Sequence, residues 1–110
     1  MNSISSFTGE YSFLSNFFMK EIQIEGKLYP SVEHAFQAMK TTDEDEQEAI
    51  KNCTTPGRAK RLGRKVKLRD NWEDIKVSIM KNIIEVKFSD VFLMEKLLST
   101  LDKTLIEGNH

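Results

Sequence analysis

The spacing of apolar positions changes several times along the chain, and each change predicts a different element. Between residues 72 and 88, Trp72, Ile75, Ile79, Ile83 and Val86 fall on one side of a helical repeat, with Asp74, Ser78, Lys81 and Glu85 opposite them. That is the signature of an amphipathic helix half embedded in a core. As the clearest run of this kind it is expected to be the central core helix. Phe92, Leu93, Leu97, Leu98 and Leu101 predict a shorter amphipathic helix, and residues 104–107 a terminal strand fragment. Nearer the N-terminus the period drops to two. Ile22 and Ile24 alternate with polar residues over 21–25, Gly26 permits a tight turn, and Leu28 and Tyr29 begin a return strand, which together predict a hairpin. Over residues 7–18, Phe7, Tyr11, Phe13, Phe17 and Phe18 are interrupted by Gly9, Ser15 and Asn16, a pattern expected to give short strands and turns.

Start and stop signals divide the middle of the chain. Pro30 and Ser31 mark a helix start, since a serine there can accept a bond from an orphan N–H of the first turn, and the helix is expected to run to about Lys40. The acidic run 43–48 opens a second helix that ends near Asn52. Thr54, Thr55, Pro56 and Gly57 then predict a turn before a basic helix over 58–64. The expected architecture is α+β: one predominantly helical domain over 1–110 with a small N-terminal β-sheet.

Composition narrows the class. A chain of 110 residues supports one modest core. With 39% hydrophobic and 30% charged residues, it reads as neither disordered nor membrane-spanning. A net charge of -1 supplies no global attraction to nucleic acid or anionic lipid, so any phosphate recognition must be local. Cys53 is the only cysteine, which excludes an intrachain disulfide and a multi-thiolate zinc site; no metal is expected. No secretory signal is visible at the N-terminus, so a cytoplasmic location is expected, with no membrane partner.

Candidate chemistry concentrates in residues 29–40. At helical spacing Val32, Ala35, Phe36 and Met39 form a core-facing stripe, and Glu33, Gln37 and Lys40 line up beside it. Hydrolysis of a ribosyl bond needs a carboxylate to steer water or to stabilise positive charge at the anomeric carbon, and a group that fixes the sugar hydroxyls. Glu33 suits the first role and Gln37 the second. Lys40 suits either neutralisation of a substrate phosphate or, with a depressed pKa, nucleophilic attack at the anomeric carbon. The plainer reading is that all three form a solvated helix edge. His34 lies toward the other side, as a packing or surface residue. Residues 57–65 carry five cations, Arg58, Lys60, Arg61, Arg64 and Lys65, in a segment that suits a phosphate clamp or simply balances the preceding acidic run. Trp72 suits either packing at a helix start or stacking on a planar base.

Taken in order, several segments resemble the NADAR domain family, which includes the YbiA-like N-glycosidases. They are Phe7-Thr8-Gly9-Glu10-Tyr11, Phe13-Leu14-Ser15-Asn16-Phe17, the 29–40 segment, Ala59-Lys60-Arg61-Leu62-Gly63-Arg64, Asn71-Trp72 with Ile75-Lys76, and Leu105-Ile106-Glu107. The Pro-Ser-x-Glu-His-x-Phe-Gln-Ala-x-Lys string in this company is specific, and the resemblance spans essentially the whole chain. It implies a YbiA-like fold and hydrolysis of N-glycosidic bonds in ribosylated, phosphorylated bases. The implied substrates are riboflavin-pathway intermediates or compounds derived from NAD or ADP-ribose, including ADP-ribosylated nucleic acid. It points to Glu33 and Lys40 as the catalytic pair and to Asn16, Gln37, Arg64 and Trp72 as substrate-binding residues, with no cofactor. The family pattern continues into an Asp-rich, Trp-Gly segment and a Gly-Lys-Asn-x-Leu-Gly segment that this chain does not contain, so a C-terminally shortened domain is expected. Two other classes stay open: a non-catalytic module that binds ADP-ribose or a related nucleotide, and a structural or interaction protein.

Overall fold

The computed structural model describes residues 9–107. After a 3-10 helix, Gly9–Leu14, come strands β1 (Met19–Ile24) and β2 (Lys27–Ser31) and helices α1 (Val32–Ala38), α2 (Glu44–Lys51), α3 (Pro56–Gly63), α4 (Trp72–Lys87) and α5 (Val91–Glu107). The fold is α+β and mainly helical, as the apolar periods predict.

The strands pair antiparallel, with Ile22 opposite Tyr29 and Ile24 opposite Lys27. The two-residue turn puts both Glu25 (φ 51°) and Gly26 (φ 80°) in the left-handed region, the geometry whose twist matches a hairpin. Alternation then buries Ile22, Ile24, Tyr29 and Ser31 on one face.

That face meets α1, and α1 also touches α2, α3 and α4. The core cluster gathers Ile22, Ile24, Tyr29, Val32, Ala35, Ala38, Met39, Ile50, Ala59, Trp72 and Ile83 around it. Here the structure corrects the expectation that residues 72–88 form the central helix. The helix exists, but only Trp72, Ile83 and Lys87 along α4 are fully buried, whereas α1 buries six of its seven residues. The reason is size. Ala35 and Ala38 let neighbours approach α1 from several sides, whereas the longer α4 has only one apolar stripe and keeps its other face in water.

Other boundaries shift for identifiable reasons. Residues 9–14 form a 3-10 helix instead of a strand, with Phe13 buried; Phe7 lies outside the described residues. Helix α3 starts at Pro56 because Thr55 Oγ1 accepts the Arg58 N–H at 3.1 Å and proline fits the first turn, where its missing N–H costs nothing. Residues 104–107 continue α5 and are not a strand. Among the described residues, no helix is long and apolar enough to cross a membrane.

Candidate active site

Site geometry begins at the first turn of α1. Ser31 caps the helix by accepting the His34 N–H at 3.1 Å, and its Oγ lies 2.7 Å from His34 Nδ1. On the other side of the ring, Nε2 lies 2.9 Å from the Cys53 carbonyl oxygen. A carbonyl can only accept, so Nε2 carries a proton and donates it. His34 is fully buried and engaged through both nitrogens, so it ties α1 to the connection between α2 and α3. Packing is therefore its role, as its place on the helix suggested.

Glu33 and Gln37 stand one turn apart. Both are enclosed, at 7% and 4% exposure, which overturns the solvated-edge reading for this pair. Gln37 Nε2 donates to Glu33 Oε2 at 2.5 Å, so the amide fixes the carboxylate. Its other end, Oε1, is buried with no hydrogen-bond partner among the described residues. An added Cβ at Gly63 would lie 2.0 Å from that oxygen, so α3 closes on α1 with no room for a side chain unless the Gln37 amide moves. Asn16 sits half-buried in the loop before β1, and its carbonyl accepts the Glu33 N–H at 3.0 Å. This contact locates Asn16 beside the helix N-terminus.

Lys40 is placed differently from the expectation of a helix running to it. The helix ends at Ala38, and Lys40 follows the Met39 cap in a turn, donating its N–H to Gln37 O at 3.2 Å. Its side chain is half-buried. Burial lowers its pKa below the usual lysine value, Glu33 pulls it back up, and Arg64 and Lys60 push it down. The end of α3 thus brings Lys60 and Arg64 within electrostatic reach of the amine, although both side chains are exposed. Among the described residues Lys40 Nζ makes no hydrogen bond or ion pair, so carboxylate and amine influence one another without closing into a contact.

Trp72 is 5% exposed, its ring 5.1 Å from that of Phe36 at 53°. It joins the main core against Phe36, which stands one turn after Glu33 and one turn before Lys40. Two hollows lie nearby. One of about 750 Å³ opens at the turn after Lys40 and is lined in part by Thr41, Glu46, Lys67 and Arg69. An apolar one of about 510 Å³ runs along α4 beside Phe36, Val77, Met80 and Ile84. Neither is lined by Glu33, Gln37 or Lys40. Among the described residues, no group of three or more His, Cys, Asp or Glu side chains is arranged to hold a metal ion.

Three residues that the sequence did not single out shape this region. Gly63 permits the close approach of α3. Arg69, between α3 and α4, binds the carbonyls flanking Lys40. Lys87, at the end of α4, donates to Ser15 O at 2.9 Å and so holds the loop that carries Asn16. Gly63 lies in a quoted family segment without a role read for it, and no local pattern marks Arg69 or Lys87, because each acts on a partner far away in sequence.

Fold and site together define a small α+β domain that presents a carboxylate, an amide and an amine from one helix and its exit turn, beside exposed cations. The chain belongs to the NADAR domain family, whose model matches residues 5–110. It is 37% identical over 105 residues to the N-glycosidase YbiA of Escherichia coli K12, an alignment covering 93% of this chain and 66% of that protein. It is 36% identical to a riboflavin biosynthesis protein of Vibrio vulnificus, over 91% of this chain and 28% of the relative. The NMR structure of E. coli YbiA superposes with a TM-score of 0.73 at 37% identity, covering 84% of this chain and 56% of that one. The chain therefore spans about two thirds of the length of the YbiA relatives it matches.

Proposed function

We propose that this domain is an N-glycosidase that hydrolyses the bond between a base and a phosphorylated ribose in nucleotide-like compounds. The observation that carries the reading is the enclosed Glu33 carboxylate, oriented by Gln37 and within electrostatic reach of the partly desolvated Lys40 amine, in a chain 37% identical to a protein named an N-glycosidase. In this reading Arg64, with Lys60 beside it, anchors the phosphate, and Asn16 and Gln37 orient the sugar hydroxyls. The C1′–N bond breaks with its electron pair leaving on the base nitrogen, and positive charge grows at the anomeric carbon. Glu33 stabilises that charge and takes a proton from the water whose oxygen bonds to C1′; the departing base receives a proton in turn. Trp72, packed against Phe36, is the candidate stacking partner for the base. The candidate substrates are ribosylated pyrimidine phosphates of riboflavin synthesis and NAD-derived ADP-ribosyl groups on nucleic acid bases, met in the cytoplasm.

The lowered pKa of Lys40 favours a second route over the same pair, in which the free amine bonds to C1′ as the C1′–N bond breaks, the base leaves with that electron pair and takes up a proton as the amine loses one, and water later releases the sugar. Borohydride treatment during turnover distinguishes the two, because only the amine route leaves a sugar adduct on Lys40. The decisive assay follows free base from a ribosylated aminopyrimidine phosphate and from ADP-ribosylated DNA. Glu33→Gln is expected to lower kcat by about 10²- to 10⁴-fold with the fold intact. Saturable heat by calorimetry without any product would instead identify a nucleotide-binding module.

A further inference from the structure

One residue holds the backbone on both sides of Lys40. Arg69 Nε donates to Met39 O at 2.5 Å, its Nη2 lies 3.4 Å from Thr41 O, and its own N–H donates to Lys40 O at 2.7 Å. Three consecutive carbonyls thus converge on one residue thirty positions from Met39, two on its guanidinium and one on its backbone N–H. The last carbonyls of a helix lack intrahelical donors, and a cation there also complements the helix dipole. Such a cation commonly comes from the helix's own last turn; α1 has none, and the role passes to a distant segment.

The same turn is braced again. Thr41 donates its hydroxyl to Glu46 at 2.6 Å, Gln47 Nε2 donates to Thr41 O at 2.8 Å, and the Lys67 N–H lies 3.3 Å from both Glu46 oxygens. The backbone at Lys40 is therefore fixed while its amine is left unengaged by any described residue.

We propose that Arg69 is a positioning residue that fixes the Lys40 backbone so that the amine stays beside Glu33 and Arg64 instead of swinging into solvent. This inference rests on the reading of Glu33 and Lys40 as the reacting pair. The direction of the Lys40 shift agrees with it, because an amine free to leave would lose the burial that is the leading cause of that shift.

The test uses the full chain with Arg69→Ala and Arg69→Lys, both checked for folding by circular dichroism. Acetylation of Lys40 by acetic anhydride, normalised to exposed Lys81 by peptide mass spectrometry, is read as the ratio of its rate at pH 8 to its rate at pH 11, in which accessibility cancels. With the lysine released from its site and its pKa returned toward normal, the ratio is expected to fall about threefold or more in Arg69→Ala. Arg69→Lys keeps the charge but cannot span both flanking carbonyls, so a smaller fall is expected; it decides the matter if the alanine variant does not fold. Turnover should drop about ten- to a hundredfold in kcat with KM within about twofold. A ratio unchanged in the folded variants, with only the melting temperature lowered, would overturn the proposal and leave Arg69 a simple helix-end cap. A fallen ratio in a protein that releases no base would uphold the positioning role and refute the glycosidase reading.

Discussion

Gly63 shows how one hydrogen atom in place of a side chain can decide a site. A Cβ there would sit 2.0 Å from Gln37 Oε1 and 2.8 Å from its carboxamide carbon, far inside contact distance. Glycine is needed here for close approach and not for an unusual backbone angle. Gly63→Ala should force the amide off Glu33, leaving a buried carboxylate without its donor, and cost about 1–3 kcal/mol. Denaturant titration would measure that loss, and base release should fall with it. The same substitution in a Gln37→Ala background, where the amide is gone and only the Cβ of residue 37 remains at 3.0 Å, should cost about half as much or less. Equal costs in the two backgrounds would show that the contact is relieved by movement of α3. Glu33 itself was recognisable from its neighbours in sequence, but its burial was not, because the covering α3 arrives from beyond an intervening helix.

At the scale of elements, the end of α4 is a second anchor for the site. Lys87 is 1% exposed, donates to Ser15 O, and has its ammonium 5.4 Å and 5.2 Å from the ring centroids of Phe18 and Phe88. A carbonyl and two ring faces are partial partners for a buried cation, and burial pushes its pKa down from 10.5 to about 8. Below about pH 8 both folded and unfolded chains hold the proton, and the folded state carries the cost of a buried charge. Between about 8 and 10.5 the unfolded chain still binds a proton that the folded chain has released, so stability contributed by this residue rises with pH. Relative to Lys87→Met, the wild type should therefore gain stability between pH 7.5 and 10.5, by an amount on the order of 3 kcal/mol. Urea unfolding of both proteins across that range checks the sign. A difference that stays flat would mean that water reaches the amine.

Across the whole molecule, packing is uneven. The extents of 50 × 25 × 23 Å describe a body built around α1 with one long axis. Among the described residues, α5 joins the rest through Leu93 and Leu97, which pack with Phe13, Leu14, Phe18 and Phe88 in a cluster separate from the main core. Val91, Phe92 and Leu98 remain exposed, Phe92 at 77%. Helices that bury little apolar surface open locally at low cost, whereas central ones exchange mainly through global unfolding. Amide hydrogens over 95–101 should therefore exchange at least about a hundredfold faster than those of Ala35 to Ala38. Hydrogen-exchange mass spectrometry or NMR would measure the ratio, and matching protection would show that α5 is held by contacts beyond this cluster.

Local physics was legible in the residues alone. Alternation at Ile22 and Ile24 gave the hairpin, Ser31 supplied the cap that α1 uses, the acidic run from Asp43 opened α2, and the helical spacing of Glu33 and Gln37 put acid and amide on one edge. These signals act within a few residues, over the range in which backbone and side chain compete for the same hydrogen bonds. The tertiary structure alone decided that α1 and not α4 lies at the centre, that Trp72 packs against Phe36, and that Lys40 leaves the helix in a turn held by Arg69. Those outcomes depend on which surfaces meet after the chain folds back on itself, through pairs such as Gly63 with Gln37 and Lys87 with Ser15. No periodicity records such partners, because their separation along the chain is set by the fold and not by the pitch of any one element.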